Sequence, residues 1–202
     1  MSSSTAAAPG QGGIRWRRFA AILIPAIVVA AVLVVLTAES GLAVSFSISG
    51  TPFTVTARQL RGQGFEQFIV GDSVVKGSTG DNDPPLTASA IRSASISDLC
   101  QSVSIGPFSL VITAGGGSSP VTATDLVVDA DRLSGSVASF THIRIGQDAS
   151  TLNQVPGITG PPGGFAQQAS TIVIDHLRQH AFATTAGTFT LPGFSLSFGG
   201  HC

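Results

Sequence analysis

The chain has 202 residues, of which only 10% are charged and 43% are hydrophobic, and its formal net charge is -1. Soluble domains average about 25% charged residues, so this chain is unusually poor in charge. The near-neutral balance excludes a nucleic-acid partner that needs a basic surface, and the hydrophobic content excludes a fully disordered chain.

The first 43 residues have the pattern of an export segment. Residues 1–14 are mostly small, and their composition predicts a disordered cytoplasmic tail. Arg15, Arg17 and Arg18 flank an apolar run over Phe19–Leu36. As a helix this run would span roughly 27 Å, close to the bilayer core of about 30 Å. Positive charge before such a run holds that end in the cytoplasm, so the chain after Ala38 is expected outside.

Two interpretations of residues 15–43 remain open. In the first, they form a signal-anchor helix that is retained, and the protein stays in the cell membrane with an extracellular C-terminal domain. In the second, they form a long signal peptide that is cleaved near Ala43, and the domain is secreted. Gly41 and Ala43 fit the small-x-small pattern of a cleavage site loosely.

The cysteines agree with export. Cys100 and Cys202 are the only two in the chain, and an even pair outside the cell predicts a disulfide between them. The bond would close a loop of about 100 residues and hold the C-terminal strand in place. Two free thiols in redox or metal chemistry are the alternative, but no CxxC motif and no His-Cys cluster supports it.

From Val44 onward the hydrophobic pattern has a period of two, which is typical of half-buried strands. Residues 44–202 therefore predict a single exported all-β domain, sandwich-like or built as a wrapped sheet. A weak similarity between three segments keeps a β-solenoid as the alternative. Strand patterns cover 44–49, 53–56, 91–99, 103–112, 121–130, 140–145, 170–175 and 188–198, with a turn at 192–193 and loops expected at 71–85, 114–120 and 146–164.

No motif indicates a catalytic, metal or cofactor site. The Gly-x-Ser-x-Gly elbow is absent, and a Ser-His-Asp triad on a β fold is recognised by geometry rather than by sequence. His176 and His180 lack the glutamate of a zinc motif, so we interpret them as exposed or hydrogen-bonded residues near a strand end. Asp125, Asp129 and Asp131 share one face of a strand, and a solvated polar face explains them better than a calcium site.

Six segments carry a resemblance to a known family. They are RWRRF at 15–19, FSISG at 46–50, ISDLCQSV at 96–103, PVTATDL at 120–126, GGFAQQ at 163–168 and ATTAGTF at 183–189. The chain resembles small exported actinobacterial proteins of uncharacterised function, many of which carry an automatic "cholesterol esterase" label. The resemblance implies that Cys100 and Cys202 match the two cysteines of the family, and it assigns no catalytic residue.

The sequence thus predicts a non-enzymatic β domain in the cell envelope or medium, with a binding or structural role. Its predicted partners are the membrane, through the N-terminal helix, and lipid or another envelope protein, because the domain is rich in Val, Phe, Ile and Leu. A secreted ester hydrolase is the first alternative, following the family label. A self-assembling surface protein is the second, because low charge with many Ser, Thr and Gly residues suits packing of identical subunits.

Overall fold

The structure is a computed structural model, and it describes residues 51–70 and 85–202. The tail predicted at 1–14, the helix predicted within 15–43 and most of the loop predicted at 71–85 lie outside these residues. Within the described part of the chain, no helix is long and apolar enough to cross a membrane.

Ten strands account for most of the described residues, and a single 3₁₀ turn at Ala149–Thr151 is the only helical element among them. The strands are β1 (Phe53–Val70), β2 (Leu86–Ser97), β3 (Leu99–Ile105), β4 (Phe108–Ala114), β5 (Val121–Ser134), β6 (Val137–Thr141), β7 (Arg144–Asp148), β8 (Phe165–Thr185), β9 (Thr188–Thr190) and β10 (Ser195–Phe198).

All strand pairings among these residues are antiparallel and belong to one sheet, which confirms the all-β prediction. β1 pairs with both β2 and β8, β2 pairs with β5, and β5 pairs with β8. These four strands therefore form a closed ring of hydrogen-bonded neighbours, which is the wrapped form of the predicted sheet. The β-solenoid alternative is wrong, because the coils of a β-helix stack their strands in parallel.

The hydrophobic core lies on the inner side of this ring. Phe65 of β1 and Ile172 of β8 are each only 1% exposed, and residues of β2 and β5 pack against them. Gly62 of β1 allows this close packing: a Cβ there would lie 2.7 Å from a methyl group of Ile91 and 2.8 Å from one of Ile172. Burial of these side chains supplies the main favourable term for closing the ring.

Several strand boundaries differ from the sequence prediction. The run predicted at 103–112 is two strands, because Gly106 and Pro107 make a turn between β3 and β4. β8 has 21 residues and extends well beyond the predicted 170–175, because its small and polar residues continue the ladder without a hydrophobic alternation. The predicted turn at Pro192–Gly193 is confirmed, and it separates β9 from β10.

β3, β4 and β10 extend the sheet beyond the ring, and we call these three strands the flap. β2 and β3 pair with β1 in one continuous register, with Gln59 opposite Ser97 and Thr56 opposite Cys100. Between them, Asp98 adopts a φ of 52°, a left-handed conformation that Asp tolerates better than most residues. Its N–H donates to the carbonyl of Gly115 at 2.9 Å, which fixes the base of the flap to the start of the β4–β5 connection.

Candidate functional site

The flap presents two chemically different faces. Side chains that lie directly opposite each other in a ladder share a face, and successive residues alternate between faces. The register places Ile105 opposite Phe108, Val103 opposite Leu110, and Leu110 opposite Phe198. The apolar face of the flap therefore comprises Val103, Ile105, Phe108, Leu110, Ile112, Leu196 and Phe198, with one polar residue, Gln101, opposite Ile112. Phe194 directly precedes β10 and continues its alternation.

This apolar face is exposed to solvent over much of its area. Phe108 is 66% exposed and Phe198 is 76% exposed, and Ile105, Phe194 and Leu196 are also exposed. The face continues the inner side of the sheet, since Leu99 at the start of β3 is buried in the core. Single exposed hydrophobic residues are ordinary, whereas a contiguous group of five such side chains is typical of an interaction surface.

The opposite face of the flap is built mainly from hydroxyl residues and holds the disulfide. Cys100 and Cys202 are bonded, the pairing that the two-cysteine count predicts, with their Cα atoms 5.7 Å apart. Nearby, the N–H of Cys202 donates to the hydroxyl of Ser102 at 3.3 Å, and a guanidinium nitrogen of Arg178 donates to the carbonyl of Cys202 at 3.4 Å. The end of the chain is thereby fixed on the polar face.

The interior of the ring contains a small apolar cavity of about 50 Å³, lined in part by Leu60, Phe65 and Leu126. Pockets that enclose a drug-sized ligand measure roughly 300–1,000 Å³, so this space does not hold a sterol or an acyl chain. The described residues therefore offer a ligand of that size only their outer surface.

A serine and a histidine meet at the turn between β5 and β6. The hydroxyl oxygen of Ser136 lies 2.9 Å from Nδ1 of His176, within hydrogen-bond reach. Both residues are exposed, and His176 has a φ of 51°. Among the described residues no carboxylate contacts this imidazole, so the pair lacks the third group that orients the base in a Ser-His-Asp triad.

The remaining predicted candidates separate into different environments. His180 lies in β8, and its Nδ1 is 2.7 Å from Oδ1 of Asp131, so a carboxylate–imidazole pair forms away from Ser136. Asp125 is exposed and has a φ of 48°. Asp129 is half-buried, and burial raises the pKa of its carboxyl group. No group of three or more metal-ligating side chains occurs among residues 51–70 and 85–202.

An open groove of about 560 Å³ crosses the outer face of the ring. Ser93 and Ser95 of β2 and Thr122 and Thr124 of β5 line it, together with Arg61 of β1. The hydroxyls of Thr124 and Thr188 already bond to each other at 2.8 Å. The lining residues include no aromatic ring, so the groove offers neither a stacking platform nor a charge cluster for a ligand.

A buried carboxylate organises the loop between β7 and β8. Glu66 is fully buried, and its Oε1 accepts the N–H groups of Gln154 and of Val155, the latter at 3.0 Å. Gln168, opposite Glu66 in the β1–β8 ladder, accepts the N–H of Asn153 through its side-chain oxygen at 3.0 Å. Two buried side chains thus accept three consecutive N–H groups of this loop. Burial also raises the pKa of the Glu66 carboxyl group.

The flap is a site that the sequence analysis missed. The run 103–112 predicts an ordinary half-buried strand, because alternation shows which residues share a face but not whether anything covers that face. One signal was present in the sequence: positions 99–124 contain no Asp, Glu, Lys or Arg, and neither do positions 179–202. All three strands of the flap lie in these two uncharged stretches.

Comparison with known proteins gives a family but no established activity. The model of a family described as a family of unknown function (DUF6230) matches residues 49–202. No curated protein matches the chain, and no solved structure matches it.

Proposed function

The chain belongs to this family of unknown function, DUF6230, and we propose that it is an exported, non-enzymatic domain of the cell envelope that acts by binding. The apolar face of the flap is the proposed binding surface. The single observation that carries the proposal is the exposure of Ile105, Phe108 and Phe198, which lie on the same side of the three strands of the flap.

Two further observations favour a surface role over an internal site. The cavity inside the ring is far smaller than a pocket for a drug-sized ligand, which favours contacts on the outer surface of the described residues. Aromatic side chains also contribute most of the binding free energy where proteins bind apolar surfaces. Each one buries a large area, and no charge has to be desolvated. Export itself stays a proposal that rests on the residues before Ala43.

We expect the flap to be covered in the cell, which hydroxyl-radical labelling of intact cells can measure. Phe194, directly before β10 of the flap, and Phe165, at the start of β8, are both 53% exposed, so they form a matched pair. An uncovered flap gives equal oxidation of the two rings. The proposal predicts much weaker oxidation of Phe194 than of Phe165, with Phe108 and Phe198 protected in the same way. Equal oxidation of Phe194 and Phe165 in cells contradicts the proposal.

A secreted ester hydrolase is the second candidate function, and the contact between Ser136 and His176 favours it. The resemblance to actinobacterial proteins labelled "cholesterol esterase" points to the same reaction. In this mechanism His176 takes the hydroxyl proton of Ser136 while the serine oxygen adds to the ester carbonyl. The C–O bond to the alcohol then breaks, the proton passes from His176 to the leaving alcohol, and water hydrolyses the acyl-serine. The exposed position of the pair and the small cavity count against a specific site for a sterol ester.

Ester turnover separates the two candidates. We expect the full chain to hydrolyse neither short-chain nor cholesteryl esters above the level of a Ser136→Ala variant. Ser109→Ala is the matched control, because Ser109 also faces a histidine, His201, at 3.4 Å. Turnover that disappears in Ser136→Ala and in His176→Ala but persists in Ser109→Ala establishes the hydrolase instead.

A further inference from the structure

We infer that the partner of the apolar face of the flap is the outer surface of a lipid bilayer, into which the phenylalanine side chains insert. This inference rests on the proposed function, because it names the occupant of the same face. It joins three observations: the absence of charge from the flap, the short segment of chain between the apolar run at 19–36 and β1, and the small area of the face.

The charge pattern fits a neutral lipid interface. The stretches 99–124 and 179–202, which contain the whole flap, have no acidic residue, no lysine and no arginine. Inserting a charged side chain among acyl chains is costly, whereas serine, threonine and phenylalanine are tolerated at the boundary with the headgroups. A partner protein recognised by complementary charge would find no matching groups on this surface.

A retained N-terminal helix would tether the domain to the membrane through a short segment of chain. Only residues 37–52 separate the apolar run ending at Leu36 from Phe53, the first residue of β1. A stretch of this length reaches roughly 55 Å when fully extended, so a retained N-terminal helix would hold the domain close to the bilayer. Phe53 pairs directly with Val103 of β3, which places the tethered end of the domain beside the flap.

The face by itself is small for an interface with a second copy of the chain. Three strands about 4.8 Å apart and at most seven residues long cover roughly 14 Å by 24 Å, or about 340 Å². A stable protein interface buries about 800 Å² on each partner. A bilayer needs no such minimum, because each inserted side chain gains its own transfer free energy from water.

The test uses tryptophan fluorescence of the full chain in phosphatidylcholine vesicles whose acyl chains carry bromine, which quenches tryptophan on contact. The single native tryptophan is first removed as Trp16→Phe. Phe108→Trp and Phe198→Trp then report on the flap. Ile145→Trp on β7 is the matched control, because Ile145 is 64% exposed and Phe108 is 66% exposed.

We expect bromine to quench both flap tryptophans and to leave the tryptophan at position 145 unquenched. Replacing part of the neutral lipid by anionic lipid should not change the result, because the flap has no cation. A flap tryptophan that is unquenched but becomes blue-shifted as the protein concentration rises indicates a second copy, which overturns this inference and keeps the proposed function. Flap tryptophans whose emission stays at the wavelength typical of water under all conditions overturn both this inference and the proposed function.

Discussion

Replacement of both cysteines, Cys100→Ser with Cys202→Ser, is expected to lower the free energy of unfolding by about 4–5 kcal/mol. The bond joins residues 102 positions apart, and the cost of closing so long a loop in the unfolded chain gives this magnitude. Domains of this size unfold with about 5–15 kcal/mol in total, so the loss is a large share of the stability. Denaturant unfolding with and without reductant measures it.

The same variant has a local effect that separates the disulfide from general packing. β10 has four residues, all exposed, and β4 is its only partner among the described strands. Without the bond at Cys202 the edge strand has little to hold it, and its amide hydrogens are expected to exchange much faster than those of β1. The double variant should be insensitive to reductant. A wild-type unfolding midpoint that reductant leaves unchanged contradicts this account.

Much of the fold follows from local patterns in the sequence. Alternation of hydrophobic residues predicts β strands, and Pro192–Gly193 predicts the turn before β10, because both signals depend on neighbouring residues alone. The closure of the ring is different, because it depends on pairing between β1 and β8, whose partners Phe53 and Ala181 are 128 positions apart. A period of two carries no information about which distant strand becomes a neighbour.

The candidate site follows from the sequence only in part. The disulfide could be predicted because two cysteines allow one pairing. The contact between Ser136 and His176 could not, since it depends on the register of β6 against β8 and on the turn at Gly135. The apolar face of the flap has the same alternation as the buried strands, and only the absence of a covering layer among the described residues distinguishes it.

The burial of Glu66 in β1 could not be predicted either, and the β7–β8 loop depends on this residue. A glutamate between Phe65 and Gln67 gives no sign in the sequence that it lies in the interior. In the structure, its Oε1 serves two N–H groups of the β7–β8 loop. Its Oε2 has no hydrogen-bond partner among the described residues. The carboxyl group is therefore needed as an acceptor and disfavoured as a charge.

Glu66→Ala is expected to lower the free energy of unfolding by about 2–5 kcal/mol, because it leaves one buried and one partly buried N–H group without an acceptor. Glu66→Gln keeps an acceptor oxygen and is expected to cost far less near neutral pH. Equal losses in the two variants, measured by denaturant unfolding, would show that packing rather than hydrogen bonding holds the loop.

The contribution of Glu66 to the free energy of unfolding is expected to fall as the pH rises. Burial raises the pKa of Glu66 above its ordinary value of 4.5, so the folded protein binds more protons than the unfolded chain between those two values. The contribution of Glu66 to stability is thus complete below pH 4.5 and falls as the pH rises through the raised pKa. Glu66→Gln should remove this fall. Asp129, whose pKa is also raised by burial, contributes a similar fall in both proteins, so the difference between the two curves isolates Glu66.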